Sequence, residues 1–128
     1  MITEDYVSFE TAKLLKEKGF DRYPLFPCYK EDNGEFIDIP TTLDTINYCF
    51  IPAPTLQMAM KWLREKHNQN VTVKAINNVA RLKTIYYAEV QNLLEPGEKG
   101  FCVNGCIFKD TYEEAVEYAI NYCLKNLI

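Results

Sequence analysis

Two alternating stretches in the middle of the chain leave it little choice of architecture. Val71-Thr72-Val73-Lys74-Ala75-Ile76 alternates in polarity, and a longer run over about 80–91 does the same. In the longer run Leu82, Thr84, Tyr86, Ala88 and Val90 share one face, and Arg81, Lys83, Ile85, Tyr87 and Glu89 share the other. Successive strand side chains point to opposite sides, so each face has its own chemistry. Asn77-Asn78 between the two runs reads as a turn. Strands this close in sequence pair antiparallel, because a parallel pair needs a crossover of about a dozen residues or more.

A second hairpin is predicted upstream. Asp32-Asn33-Gly34 carries the Asn-Gly turn signal between about 25–31 and 35–39. Pro24 and Pro27 place that strand at an edge, where a missing N–H is tolerated. Residues 46–51 suggest one more short strand. Phe101 to Phe108 is β-rich, and Asn104-Gly105 within it is either a tight hairpin turn or a bulge.

Three helices complete the pattern. Ser8 can cap a helix over 8–19 that carries Phe9, Ala12 and Leu15 and stops at Gly19. Thr55 can cap a second over 55–67, with Leu56, Ala59, Met60 and Leu63 as its buried stripe and Gln57, Lys61, Arg64 and Glu65 on its wet side; Asn68-Gln69-Asn70 ends it. Thr111 and Glu114 form a capping-box pattern before a helix over 112–126. Its stripe of Ala115, Ala119, Tyr122 and Cys123 is widened by Val116, Ile120 and Leu127, so it packs on a sheet or on a partner. The order predicts an α+β fold: an antiparallel sheet of short hairpin-linked strands packed with three helices, in a single domain over 1–128.

Composition narrows function mainly by exclusion. Hydrophobic residues at 48% and charged residues at 25% describe a folded chain rather than a disordered one. A net charge of -4 and a pI of 5.0 remove the global attraction to phosphate, so extended nucleic acid is not an expected partner. No apolar run approaches the roughly 18 residues of a membrane span, and the acidic start Met-Ile-Thr-Glu-Asp-Tyr does not resemble a secretory signal. The odd count of five cysteines then suggests free thiols in a reducing compartment. Cys102 and Cys106 are the one close cysteine pair and His67 the single histidine, which is poor zinc-site spacing; neither metal nor cofactor is expected. A cysteine nucleophile would have to meet His67, the sole imidazole base.

Motifs for catalysis are scarce, and no catalytic residue is assigned. The chain has five glycines and no phosphate-cradling frame or nucleophile elbow. Asp32, Glu35, Asp38 and Asp44 crowd one region and could hold a divalent cation, which gives one alternative, a small metal-dependent phosphodiester hydrolase. The plainer interpretation is a solvated acidic hairpin. Arg81 and Lys83 could pair with phosphate while Tyr86 or Tyr87 stacks on a base, making a site for a small nucleotide-like ligand; against this stands an ordinary wet strand face. Trp62, Arg64 and His67 offer an interface anchor; against this stands the more ordinary core edge and helix cap. Nine tyrosines against seven phenylalanines suit a binding module. A homo-oligomeric assembly factor, burying the broad face of the last helix across a two-fold axis, is a further alternative.

Three segments together carry a resemblance. They are Tyr6-Val7-Ser8-Phe9-Glu10-Thr11-Ala12-Lys13-Leu14-Leu15-Lys16-Glu17-Lys18-Gly19-Phe20-Asp21, Pro54-Thr55-Leu56-Gln57-Met58-Ala59-Met60-Lys61-Trp62-Leu63-Arg64-Glu65-Lys66-His67-Asn68, and Thr111-Tyr112-Glu113-Glu114-Ala115. In that order the chain resembles a family of small uncharacterised proteins of phages and mobile elements in gut Bacteroidales bacteria. That family has no established activity, so the resemblance implies a setting and no site residues: an accessory protein in a bacterial host cytoplasm. The resulting expectation is a non-enzymatic binding protein, serving counter-defence by sequestering a nucleotide-type ligand or by blocking a host protein.

Overall fold

Ser8, Thr55 and Thr111 each do what their position ahead of an apolar stripe predicts. In the computed structural model, which describes residues 4–20, 27–38, 50–95, 97, 100–103, 105 and 107–128, each is a helix N-cap. Each hydroxyl accepts from the backbone N–H three residues on, an arrangement worth about 1 kcal/mol. They open α1 (Phe9–Glu17), α2 (Leu56–His67) and α3 (Tyr112–Asn126). α2 buries Leu56, Ala59, Met60 and Leu63, the predicted stripe, and exposes Gln57, Lys61, Arg64 and Glu65. At the start of α3 the Glu114 N–H donates to Thr111 Oγ1 at 3.1 Å, and the Thr111 hydroxyl donates to Glu114 Oε1 at 3.0 Å.

Among the described residues six strands lie between the helices: β1 (Cys28–Lys30), β2 (Phe36–Ile37), β3 (Phe50–Pro52), β4 (Gln69–Asn78), β5 (Lys83–Asn92) and β6 (Phe101–Cys102). The fold is α+β. The strands divide, however, into two antiparallel sheets, β2-β1-β3 and β4-β5-β6, rather than forming one. Pro52 and Pro54 supply no N–H with which to prolong β3. α2 then carries the chain away before Asn68, in the left-handed conformation at φ 57°, turns it directly into β4. Gln69 and Asn70 therefore begin a strand instead of ending a helix.

The upstream turn forms where Asn33-Gly34 places it. The Gly34 N–H donates to the Lys30 carbonyl at 2.8 Å, and the Glu35 N–H donates to Asn33 Oδ1 at 2.9 Å. Gly34 has φ +73°, and a Cβ there would lie 3.2 Å from the Phe9 ring. Glycine serves both the backbone angle and the close approach of α1. β1 and β2 pair Cys28 with Ile37 and Tyr29 with Phe36. The outer ends of that predicted hairpin, residues 46–49 of the predicted strand, and Asn104 lie outside the described residues.

The downstream hairpin differs from the sequence expectation at its turn. Asn77 and Asn78 belong to the ladder, opposite Thr84 and Lys83, and the turn is Val79–Leu82. The Thr84 hydroxyl donates across to Asn77 Oδ1 at 2.9 Å. Asn78 acts as the first residue of the turn, its Oδ1 accepting from the Arg81 N–H at 3.3 Å. The asparagine signal was therefore real, but the reversal lies just beyond it.

The core is built around α3. It buries Ala115, Val116, Ala119, Ile120, Cys123 and Leu124, and packs on β4, β5, α1 and α2. The inner face of the second sheet contributes Val71, Ala88 and Val90, with Val73 packed at its margin. The broad apolar face of the last helix is thus covered within the chain, which removes the ground for burying it across a two-fold axis. Cys28 and Cys123 are free thiols, fully buried as small hydrophobes. Cys102 is disulfide-bonded, with its partner outside the described residues. This corrects the expectation of free thiols throughout and removes the cysteine argument for a reducing compartment.

Two outcomes follow from this core. Ile120→Ala is expected to cost about 2–5 kcal/mol in denaturant unfolding, because a fully buried side chain leaves a cavity among fixed neighbours. Burial pushes the Cys28 thiol from 9.0 up to about 11 and the Cys123 thiol up to about 12. Both stay protonated in the folded chain at pH values where the unfolded chain has ionised them. Their contribution is complete below pH 9.0 and declines as pH rises toward 11 and 12. Melting temperature should therefore fall across that alkaline window, less steeply for Cys123→Ala; an unchanged slope in the variant would assign the fall elsewhere.

Candidate interaction surfaces

β4 and β5 extend beyond the core in which they begin. Their ladder runs in register from Gln69 opposite Asn92 to Asn78 opposite Lys83. The pairs Val71–Val90 and Val73–Ala88 lie on the side of the helices, whereas Lys74, Ala75, Ile76 and Asn77 are exposed. The far half is a two-stranded ribbon. Lys109 braces its base, exchanging backbone hydrogen bonds with Tyr86 at 2.9 and 2.8 Å.

The ribbon ends in Val79–Leu82. Val79 is 82% exposed and Leu82 90% exposed. Leu82 also sits at φ 53°, a left-handed angle that crowds a β-carbon and costs roughly 1–2 kcal/mol outside glycine. Arg81, exposed between them, is in this turn and not on a strand face. Sequence alternation had placed Leu82 on one strand face with Thr84, Tyr86, Ala88 and Val90. The Asn78 side-chain turn was the available signal that the strand had not yet begun.

The other proposed ligand residues separate. Lys83, the first residue of β5, places its ammonium 2.7 Å from Asp110 Oδ1. The hydrogen bond from Lys83, and then the charges of Lys83 and Arg81, hold the Asp110 carboxyl below its ordinary value. Tyr86 and Tyr87 are neighbours on a strand and point to opposite faces. Tyr86 meets the Tyr112 ring edge-on at 6.3 Å, and Tyr87 meets Phe108 at 5.8 Å. The structure thus gathers Arg81 and Lys83 beside Asp110 and places the two aromatic rings on different sides.

The α2 residues are also divided. Trp62 is half-buried between Phe20, at 5.6 Å, and His67, at 4.5 Å. Arg64 is exposed, and a spacing of two on a helix points it away from Trp62. Of the acidic group, Asp32, Glu35 and Asp38 are exposed, Glu35 is paired with Lys30 at 3.2 Å, and Asp44 lies outside the described residues. Among the described residues, no group of three or more His, Cys, Asp or Glu side chains could hold a metal ion, and no helix is long and apolar enough to cross a membrane.

Two surfaces emerge that sequence alone did not indicate. The first is the outer face of the second sheet. Ile76 and Ile85 are register partners there, Tyr87 follows two residues on, and Phe108 packs against Tyr87. Ile76 is 41% and Phe108 50% exposed, so an aliphatic and aromatic strip runs along the ribbon. The ion pair of Lys74 with Glu89, at 3.2 Å, borders it.

The second is a cleft of about 680 Å³ between α3 and the segments at Asp5–Ser8 and Leu56. Its carboxylates are Asp5, Glu113, Glu114 and Glu117, against the two ammonium groups of Lys109 and Lys125. None of the four carboxylates is in an ion pair with a described residue. The Lys109 ammonium lies over the Tyr118 ring, 4.7 Å from its centre. Glu117 is fixed in place by the start of α1: its Oε1 accepts from the Ser8 N–H at 3.0 Å, from the Ser8 hydroxyl at 2.5 Å and from the Thr11 hydroxyl. Asn121 donates to Thr11 Oγ1 in turn, which accounts for a fully buried threonine. A carboxylate at this end of α1 is also favoured by the helix dipole.

Comparison with known proteins found no match: no family model, no curated protein and no solved structure matches this chain.

Glu117 also acts on Tyr29, whose phenol is pushed up first by burial and then by the Glu117 charge. Glu117→Gln should lower the Tyr29 pKa in an NMR titration and cost about 1–3 kcal/mol, the scale of hydrogen bonds to a charged group. An unmoved Tyr29 titration would contradict the assigned cause.

Proposed function

We propose that the protein is a non-enzymatic binding protein that works by covering a surface of a protein partner. One observation carries this: along the outer face of the ribbon, exposed Ile76 and Phe108 form one strip with half-buried Ile85 and Tyr87. Aromatic and aliphatic groups displayed together on a braced sheet are the usual material of a protein contact. Sequestration of a nucleotide-like ligand is less well supported. Its phosphate would have to compete with Asp110 for Lys83, and a base stacked on one of Tyr86 and Tyr87 would lie away from the other. The setting, an accessory protein of phages or mobile elements acting on a host protein in a bacterial cytoplasm, rests on the resemblance of the three sequence segments.

The test is a photo-crosslinking amino acid placed at Tyr87 or Phe108 in bacterial cells, with Lys61 on the exposed side of α2 as control. A discrete protein adduct at the ribbon positions, absent at Lys61, is expected. Ile85→Lys should abolish it, and Phe108→Ala should weaken partner binding roughly tenfold or more, the scale of an aromatic anchor. Equal labelling at all three positions, or none at the ribbon, would overturn the reading.

A further inference from the structure

The ribbon tip and the α3 cleft have opposite chemistry. The tip displays Val79 and Leu82 with Arg81, which is in no ion pair with a described residue and whose charge acts on Asp110. The cleft holds carboxylates that no described cation pairs with, beside Tyr6, Tyr118 and the Leu56 side chain. No residue of the tip lines the cleft of its own chain. The ladder from Gln69–Asn92 to Asn78–Lys83 is continuous, and the Lys109 bridge to Tyr86 holds its base.

We propose that the tip of one copy docks in the α3 cleft of a second copy, with Arg81 among the cleft carboxylates and Leu82 against its tyrosines. This accounts for a leucine that is both exposed and held at a left-handed angle. In an isolated chain that side chain gains nothing from burial, whereas in the cleft it would be covered. The contact joins two different surfaces, so it is head-to-tail and gives rings or open chains of copies according to the rotation between them. It weakens with salt, because the attraction is between exposed charges.

Sedimentation velocity over a concentration series at low salt tests this. The unaltered chain should associate, and added salt should reverse the association. Arg81→Glu should weaken it on the order of a hundredfold, because an acid then faces acids across the contact. Leu82→Gly should melt at or above the unaltered chain, since glycine accepts the left-handed angle, and yet remain monomeric. Glu113→Arg should also remain monomeric, and the double variant Arg81→Glu with Glu113→Arg should regain association. Asp5→Arg, which lies in no helix, replaces Glu113→Arg should that variant lose its fold. A monomer at every concentration would overturn the proposal, as would association undiminished in Arg81→Glu and Leu82→Gly, or a folded charge-swap variant that stays monomeric.

Discussion

Everything else in this structure depends on how closely α3 can lie against the ribbon base and the other two helices. Ala115, Ala119 and Cys123 recur every four residues and are fully buried or nearly so, which gives α3 a row of small side chains on one side. Val116, Ile120 and Leu124 fill the space beside that row, and Val71, Ala88 and Val90 meet the helices from the sheet. Interiors packed to this degree transmit strain and tolerate few voids, so the position of α3 sets the position of what is tied to it.

Two kinds of tie follow. One is polar: Glu117 reaches from α3 to Ser8 and Thr11, locking the start of α1 to the middle of α3. The other is aromatic. Phe9 of α1 meets Tyr29 at 5.6 Å, Tyr29 meets Phe36 at 5.4 Å, and Phe36 meets Tyr6 at 5.3 Å. The small first sheet is attached to the helices through these rings, and the Tyr29 hydroxyl donates to the Val7 carbonyl. A strand of two or three residues has little stability of its own, so its neighbours supply what its ladder lacks.

What the core does not reach is where partners can. The ribbon continues past the Val73–Ala88 pair with its ladder in register and with Lys74, Ile76 and Lys83 exposed on its outer face. Exposure of Val79 and Leu82, together with the strained backbone of Leu82, departs from what folding alone favours. Such departures from local consistency concentrate at functional sites. The cleft has the complementary character, with fixed or exposed carboxylates beside tyrosine rings.

Local chemistry was enough to read the helices, the first turn and the α+β class. An N-cap hydroxyl, a stripe at helical spacing and Asn-Gly act within a few residues of themselves, so their effects are written where they occur. The α2 stripe and the full extent of α3 were legible for that reason. Placement across the chain was not. The division into two sheets, the join of Glu117 to Ser8 over more than a hundred residues of sequence, and the meeting of Lys83 with Asp110 depend on which surfaces the core brings together. Even the candidate ligand residues, adjacent in sequence, were dispersed by strand pleating and by a turn displaced just past its asparagines. Periodicity says which faces a segment has; only tertiary packing decides which of them is covered, because burial is a property of neighbours that the segment itself does not contain.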